Sequence, residues 1–363
     1  MTGTYDPNLA EYLEESSVRL EMARSFQVCA GCGRCMDFCP SFRNLSDALQ
    51  FVGNEADRMT PYMQDQIADP CFDCGRCLQG CPHSMTSGVD VPALMLRHRA
   101  MAREHGLYGL RHKVTEVVRV RRDALRRIVQ RVPRMPHGAE GEFLEWFHDR
   151  PRIRIEKSQG RVAIIPACDT KFDHVGIGRD LVKVLEHNGL TCALMSPHHG
   201  CGEDLLRIGD IGGFTRVASR NVREWARAID EGNEIVVLSA HCLEVIRNRY
   251  PEFVGGPETS EVVGHTFGPT EFLIGLRDRQ ALDVQFPGDR PESVEYRASC
   301  PARNTGEADA GGALLRLAGI AVSAIDSCCG GQGCRESVSI PTLSGESAHP
   351  VQFLARAYGL ARD

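Results

Sequence analysis

The sequence predicts an α+β protein, with a helical, cysteine-rich N-terminal domain followed by two related α/β lobes. Three observations carry this. A cysteine pattern is written twice between residues 29 and 82, inside sequence of helical character. After residue 150 short strand-like runs alternate with helical segments, and the second half contains an internal repeat.

The N-terminal domain is defined by its cysteines. Cys29, Cys32, Cys35 and Cys39, followed by Pro40, recur as Cys71, Cys74, Cys77 and Cys81, followed by Pro82. Each copy is a C-x2-C-x2-C-x3-C-P run. Three thiolates at steps of three can wrap a loop around one 4Fe-4S cubane, while the fourth, sent off by the proline, reaches the other cluster. This predicts Cys29, Cys32, Cys35 and Cys81 on one cluster and Cys71, Cys74, Cys77 and Cys39 on a second. Zinc is the weaker reading, because the third cysteine of each run is not part of a knuckle pair. Disulfides are weaker still: the N-terminus is acidic and lacks an apolar h-region, so no signal peptide and a reducing compartment are expected. Both runs also carry Gly-Arg between the second and third cysteines, Gly33-Arg34 and Gly75-Arg76. The glycines let backbone approach a cluster; the arginines either offset its negative charge or are simply solvated.

Around these runs the pattern is helical. Residues 8–26 place Leu9, Leu13, Val18, Met22 and Phe26 at helical spacing ahead of the first run, and the 31 residues between Cys39 and Cys71 are helical and turn-like rather than alternating. A compact bacterial ferredoxin would have strands and less space there. The spacing resembles instead the all-helical ferredoxin domain of the iron-sulfur subunits of succinate dehydrogenase and its relatives, which implies a helical ferredoxin domain over residues 1–100.

Charge marks the next boundary. Residues 1–96 hold 6 basic and 13 acidic side chains, whereas residues 97–137 hold 12 and 3. Within this band Leu110, Val114, Val117, Leu125, Ile128 and Val132 fall on one helical face, with arginines on the other. Residues 101–150 are therefore expected to be a basic amphipathic linker, able to lie on an anionic membrane surface, to dock on an acidic partner, or to pack its apolar stripe on the rest of the protein. Nucleic acid is excluded by the overall acidity, a net charge of −6, and by the absence of aromatics among the basic residues. No stretch approaches the roughly eighteen apolar residues of a membrane span. The expected location is cytoplasmic, peripheral on the inner face of the cell membrane if the basic helix meets lipid.

The second half reads as βα units. RVAIIPA (161–167), LTCALM (190–195), EIVVLSA (234–240), VEYRAS (294–299) and IAVSAI (320–325) have strand composition, and they are separated by helical segments at 177–188, 214–230 and 310–318. A mainly parallel, Rossmann-like sheet is expected in each lobe, over residues 151–275 and 276–363. The repeat pairs a strand ending at Cys168 and a Cys201-Gly202 pair with a strand ending at Cys300 and a Cys329-Gly330 pair. Open sheets place their sites at such strand ends. Cys192, inside a strand, reads as core. Neither Gly176-Ile177-Gly178-Arg179 nor the glycines of GDIGGF (209–214) makes a dinucleotide fingerprint, so no flavin or nicotinamide is expected on this chain.

These cysteines resemble the CCG, or cysteine-rich, domain of heterodisulfide reductases. The doubled N-terminal run followed by two such lobes is similar to the iron-sulfur subunits of the anaerobic glycerol-3-phosphate dehydrogenase, glycolate oxidase and lactate-utilisation family. In that family a lobe carries a cysteine, then CCG, then C-x2-C, a ligand set for a further cluster. Carried over residue by residue, lobe one matches at Cys168, Cys201 and Cys242, with Gly200 and Ser239 where two cysteines would stand and His198, His199 and His241 near by in sequence. Lobe two matches at Cys300, Cys328, Cys329 and Cys334. The resemblance implies a third iron-sulfur cluster on Cys300, Cys328, Cys329 and Cys334, with Cys168, Cys201 and Cys242 a weaker set; the alternative is that the lobes have lost their metal.

The function implied is an electron-transfer subunit. It would serve a partner flavoprotein dehydrogenase of glycerol 3-phosphate, glycolate or lactate type, and pass electrons toward membrane quinone or a membrane anchor subunit. The alternative is a heterodisulfide reductase-like thiol/disulfide oxidoreductase with the second lobe as its reaction centre, and a third class is a scaffold with degenerate lobes.

Overall fold

The computed structural model describes residues 5–107, 139–151, 158–166, 175–195, 200–325, 337–339 and 347–360. These residues form two compact units, one built from the N-terminal sequence together with residues 203–215, the other from the sequence after residue 134. The basic helix expected over 110–132 lies outside the described residues, as do Cys168, His198, His199, Cys328, Cys329 and Cys334.

The first unit is helical. A 3-10 turn (Ala10–Leu13) is followed by α1 (Glu15–Cys32), α2 (Pro40–Phe51), α3 (Pro61–Ala68), α4 (Pro82–Thr86) and α5 (Val91–Glu104). The single helix expected over 8–26 is thus broken at Glu14, and α1 runs on through two cysteines. Val18, Met22 and Phe26 are buried as the spacing requires, but Leu9 is exposed. They join Phe42, Leu45, Leu49, Ile67, Leu94 and Met95 in one core. Arg97 of α5 is also buried, and its guanidinium donates to the carbonyls of Tyr12 (2.8 Å) and Glu11 (2.7 Å) and to Ser17 Oγ (2.8 Å). A buried cation is tolerated because its donors are taken up, and in satisfying them it pins the N-terminal turn to α5.

Residues 203–215 complete this unit. Gly209 takes a left-handed φ of 72°, and a β-carbon there would strike the backbone of Arg99. Asp210 accepts from the Gly213 N–H (2.8 Å) and lies 3.6 Å from Arg103. Gly209 of GDIGGF therefore serves close approach to α5, and Gly213 leaves room for the Asp210 carboxylate.

The second unit opens with α6 (Ala139–Asp149) and contains two four-stranded sheets. In the first, β1 (Gly160–Ile165) is followed by α7 (Val175–His187) and β2 (Leu190–Leu194), then by α8 (Ile211–Asp230), β3 (Asn233–Val237), α9 (Ala240–Glu244), β4 (Thr266–Phe267) and α10 (Pro269–Asp278). The order is β2-β1-β3-β4 and every pairing is parallel. Val162, Ala163 and Ile164 with Ile235, Val236 and Val237 are buried, the continuous apolar runs of a sheet covered on both faces. Cys192 of β2 is half-buried rather than core, and burial pushes its thiol up to about 12.

The second sheet is made by β5 (Ser293–Arg297), followed by α11 (Cys300–Thr305), α12 (Glu307–Leu317), β6 (Ala321–Ala324), β7 (Ser337–Ser339) and β8 (Ser347–Ala348), with α13 (Pro350–Ala357) after it. Here β5 pairs β6 in parallel but β7 antiparallel, and β8 pairs β7 antiparallel. The sheet is mixed, where a mainly parallel one was expected.

Three close approaches hold the helices. A β-carbon on Gly178 of α7 would sit 2.6 Å from the buried Phe143 ring of α6, and one on Gly176 would sit 3.2 Å from Gln352 of α13. The glycines that fell short of a nucleotide fingerprint are packing positions. Glu307, 1% exposed at the start of α12, accepts from the backbone N–H groups of Thr270 (3.2 Å) and Glu271 (2.8 Å) and from Thr270 Oγ1 (2.7 Å). Its carboxylate caps α10, taking orphan donors at the positive end of that helix. Gly268 is required beside it, since a β-carbon there would overlap the carboxyl group. Glu307→Ala, which leaves these buried donors unmet, is expected to cost about 2–4 kcal/mol, measured from the urea unfolding midpoint, whereas Glu307→Gln should cost less.

Candidate functional site

The two cysteine runs share one local structure in their second halves. Gly33 and Gly75 both have φ of 67°, a left-handed conformation that costs a residue with a β-carbon about 1–2 kcal/mol. After each glycine the chain turns, with Met36 N–H donating to Gly33 O (3.1 Å) and Leu78 N–H to Gly75 O (2.9 Å). The fourth cysteine of each run, Cys39 and Cys81, is then the extended N-cap of a helix whose first residue is the proline, Pro40 of α2 and Pro82 of α4. Proline has no N–H to lose there, so it starts the helix while the cysteine before it stays extended.

The first halves differ. Cys29 and Cys32 ride on the last turn of α1, ended by Gly33, whose N–H donates to Cys29 O (2.9 Å). Cys71 and Cys74 lie in irregular chain, with Asp73 between them at a φ of 56°. Asn or Asp is the side chain that tolerates this region best.

The thiols of the two runs lie near enough to act on one another. The Cys29 thiol is pushed up to about 12 by burial and then by Cys35, Cys81 and Cys32 beside it. Cys35 is raised to about 11 by burial, then by Cys39, Cys81 and Cys32. Burial raises Cys71 to about 12, against the pull of Arg99, with Asp73 and Cys39 adding to the rise. Cys77 is raised well above its ordinary value by burial and by Cys71, Cys35, Cys39 and Cys74. Burial also raises Cys39, with the N–H groups of Phe42 and Ser41 in opposition and Cys74 near by. Across the two runs, Cys81 thus acts on Cys29 and Cys35, and Cys39 acts on Cys35 as well as on Cys71 and Cys77.

The donor set fits iron-sulfur clusters. It consists of soft thiolate donors, and Cys29, Cys35, Cys39, Cys71 and Cys77 back onto the helical core. Among the described residues no three His, Cys, Asp or Glu side chains converge as a single-ion site requires. Raised thiols are neutral at pH 7 and ionise only against a positive centre, as in metal binding. Three cations act on the thiols, Arg24 on Cys29, Arg34 on Cys35 and Arg99 on Cys71.

In the second unit Cys201, Cys242 and Cys300 are all buried. Gly200 and Gly202 flank Cys201 at φ of 61° and 87°, so the glycine that stands in a cysteine's place at 200 has a conformation adverse to any β-carbon. Cys242 sits in α9 just after the N-cap Ser239, and Cys300 begins α11 after the N-cap Ser299, whose Oγ accepts from Ala302 N–H (3.1 Å). Helices α9 and α11 pack together, with Asn304 donating to Glu244. The half-buried His241 precedes Cys242.

Tyr250 ties this region together. Its hydroxyl donates to Cys201 O (3.2 Å) and accepts from Asn221 Nδ2 (2.8 Å), which also donates to Gly200 O (2.9 Å). Its ring stacks on Trp225 at 5.7 Å. Burial raises the hydroxyl well above its ordinary value, with Cys201 and Cys242 contributing. Neither Tyr250 nor Asn221 belongs to a motif, so no signal in the sequence pointed to them.

A family model described as a 4Fe-4S dicluster domain matches residues 21–82, the segment that holds both runs. The chain is 26% identical over 201 residues to an anaerobic glycerol-3-phosphate dehydrogenase subunit of Escherichia coli (strain K12), covering 54% of this chain and 49% of that protein. It is 25% identical over 193 residues to lactate utilization protein A of Shouchella clausii (strain KSM-K16), covering 50% of this chain and 77% of that one. It is 22% identical over 145 residues to lactate utilization protein A of Geobacillus thermodenitrificans (strain NG80-2), covering 39% and 57%. The chain spans about half the length of the first of these relatives. No solved structure gives a significant match. These similarities fit an iron-sulfur subunit.

Tyr250→Phe, which strips a donor from Cys201 O and an acceptor from Asn221, is expected to lower stability by about 1–3 kcal/mol. Chemical denaturation with alkylation of Cys201 as a local probe would show it, with Tyr250→Ala as the larger perturbation.

Proposed function

We propose that the chain is the electron-transfer subunit of a dehydrogenase complex. It takes electrons from a partner flavoprotein that oxidises glycerol 3-phosphate, glycolate or lactate, and passes them toward membrane quinone or a membrane anchor subunit. The observation that carries the reading is the doubled cysteine run, which a 4Fe-4S dicluster family model matches over residues 21–82 and in which thiols of one run act on those of the other. The named relatives, a glycerol-3-phosphate dehydrogenase subunit and lactate utilization proteins, support it.

When bound, two 4Fe-4S clusters supply one-electron transfer. Cys29, Cys32, Cys35 and Cys81 would hold the first, and Cys71, Cys74, Cys77 and Cys39 the second. The helical core backs Cys29, Cys35, Cys39, Cys71 and Cys77. Arg24 and Arg99 offset negative charge at Cys29 and Cys71. Among the described residues no helix is long and apolar enough to cross a membrane; approach to the membrane is assigned to the basic sequence at 110–132. Cys300, Cys328, Cys329 and Cys334 are proposed as donors for a further cluster, with Cys168, Cys201 and Cys242 as a weaker set.

Anaerobically purified protein is expected to hold about eight irons per chain from the N-terminal unit, and about twelve if the second unit is loaded. The purified chain alone should not oxidise glycerol 3-phosphate, glycolate or lactate with a quinone analogue, and should gain that activity only with the flavoprotein added. Oxidation by the chain alone would overturn the reading.

A further inference from the structure

Arg34 and Arg76 occupy the same place in the two runs, between the second and third cysteines, and each reaches into the other run. Arg34 Nη1 donates to the carbonyl oxygen of Gly80, the residue before Cys81. The guanidinium of Arg76 lies over the ring of Phe38, the residue before Cys39, 4.9 Å from its centroid. Gly80 and Phe38 are equivalent positions of the repeat, so the two contacts are reciprocal. Each arginine holds the residue that leads into the other run's fourth cysteine.

Position decides what these contacts do. An isolated contact to an exposed arginine contributes little to stability, and a cation over an aromatic ring about 0.5–2 kcal/mol. Arg34 is itself exposed, and Gly80 takes a left-handed φ of 63°, with the arginine so close that a β-carbon would lie 3.5 Å from Nη1 and Nη2. The turn before Cys81 is shaped by bonds within its own run, Leu78 N–H and Gln79 N–H to Gly75 O (2.9 and 3.3 Å) and Cys81 N–H to Leu78 O (3.1 Å). Farther on, Arg24 of α1 donates to the carbonyls of Ser87 (2.8 Å) and Gly88 (3.4 Å) beyond α4. The bonds within the run shape the turn, the Arg24 bonds hold the far end of α4, and Arg34 holds the residue next to Cys81 itself.

We propose that Arg34 and Arg76 are positioning residues for the crossed ligands. Arg34 sets Cys81 into the group of Cys29, Cys32 and Cys35, and Arg76 sets Cys39 into the group of Cys71, Cys74 and Cys77. This rests on the reading of the eight cysteines as two 4Fe-4S ligand sets. It assigns the shared Gly-Arg of the two runs a geometric role beyond that of a counter-charge.

The test uses the full chain, purified anaerobically, with iron counting and low-temperature EPR of the reduced and oxidised states. Arg34→Ala is expected to leave the thermal unfolding midpoint of the metal-free protein unchanged and to weaken the fourth ligand of one cluster only. Iron should fall from about eight toward about seven per chain, with a three-iron signal after oxidation that matches the signal of Cys81→Ala. Arg34→Lys, which keeps a cationic donor, should restore the wild-type spectrum. Arg76→Ala should perturb the other cluster, Phe38→Leu should reproduce it, and the variant carrying both of these changes should be no worse than either single one, the non-additivity of a shared contact. Wild-type iron content and spectra in both alanine variants would overturn the proposal, as would both variants altering the same cluster. A wild-type protein with far fewer than eight irons would overturn the ligand-set reading beneath it, which separates the two failures.

Discussion

Thiolates crowded four at a time repel one another, and burial raises the cost of charging each. In the N-terminal unit Cys29, Cys35, Cys71 and Cys77 are all raised above the ordinary thiol range by burial, with neighbouring thiols adding to the rise. Such a site is held together by the fold before metal arrives and by metal afterwards. The helices α1, α2, α3 and α5 supply the first part, because one apolar core backs five of the eight cysteines. The doubled C-x2-C-x2-C-x3-C-P run supplies the second. Its glycines take the left-handed conformation ahead of a turn, its prolines start helices α2 and α4, and each fourth cysteine stays extended as the N-cap before its proline.

The second unit follows a different logic, in which glycine is a device for close approach. Gly178 admits the Phe143 ring, Gly268 admits the Glu307 carboxylate, and Gly200 and Gly202 hold Cys201 in a backbone that a side chain would oppose. Glu307 joins α12 to α10, Gln352 of α13 lies against Gly176 of α7, and Asn304 of α11 donates to Glu244 of α9. Helices that follow the two sheets are thereby locked into one unit, in which Cys242 lies in the first turn of α9 and Cys300 begins α11, two helices that pack together.

Strand positions in the second half were legible because buried parallel strands such as Val162–Ile165 and Ile235–Val237 are written as unbroken apolar runs. The antiparallel β7 and β8 were not, since Ser337–Ser339 and Ser347–Ala348 are short and polar and carry no alternation. The break at Glu14 left no mark either, since acidic residues suit both the end of a 3-10 turn and the first turn of α1. At the candidate site the cysteine runs were fully legible from spacing. The role of Arg34 and Arg76 was half legible: their equivalence shows in the repeat, but their partners Gly80 and Phe38 come from the opposite run and are set only by tertiary structure. Tyr250 and Asn221 were silent, because a hydroxyl bound to a carbonyl 49 residues away leaves no local pattern.

The central claim is that the two ligand sets are interleaved, and Cys39 tests it most directly. Low-temperature EPR of reduced Cys39→Ser should be compared with Cys77→Ser and with Cys35→Ser. Interleaving predicts that the Cys39→Ser spectrum shows the same altered cluster as Cys77→Ser and leaves the other cluster as in wild type. A Cys39→Ser spectrum that matches Cys35→Ser would place Cys39 with its own run and contradict the account.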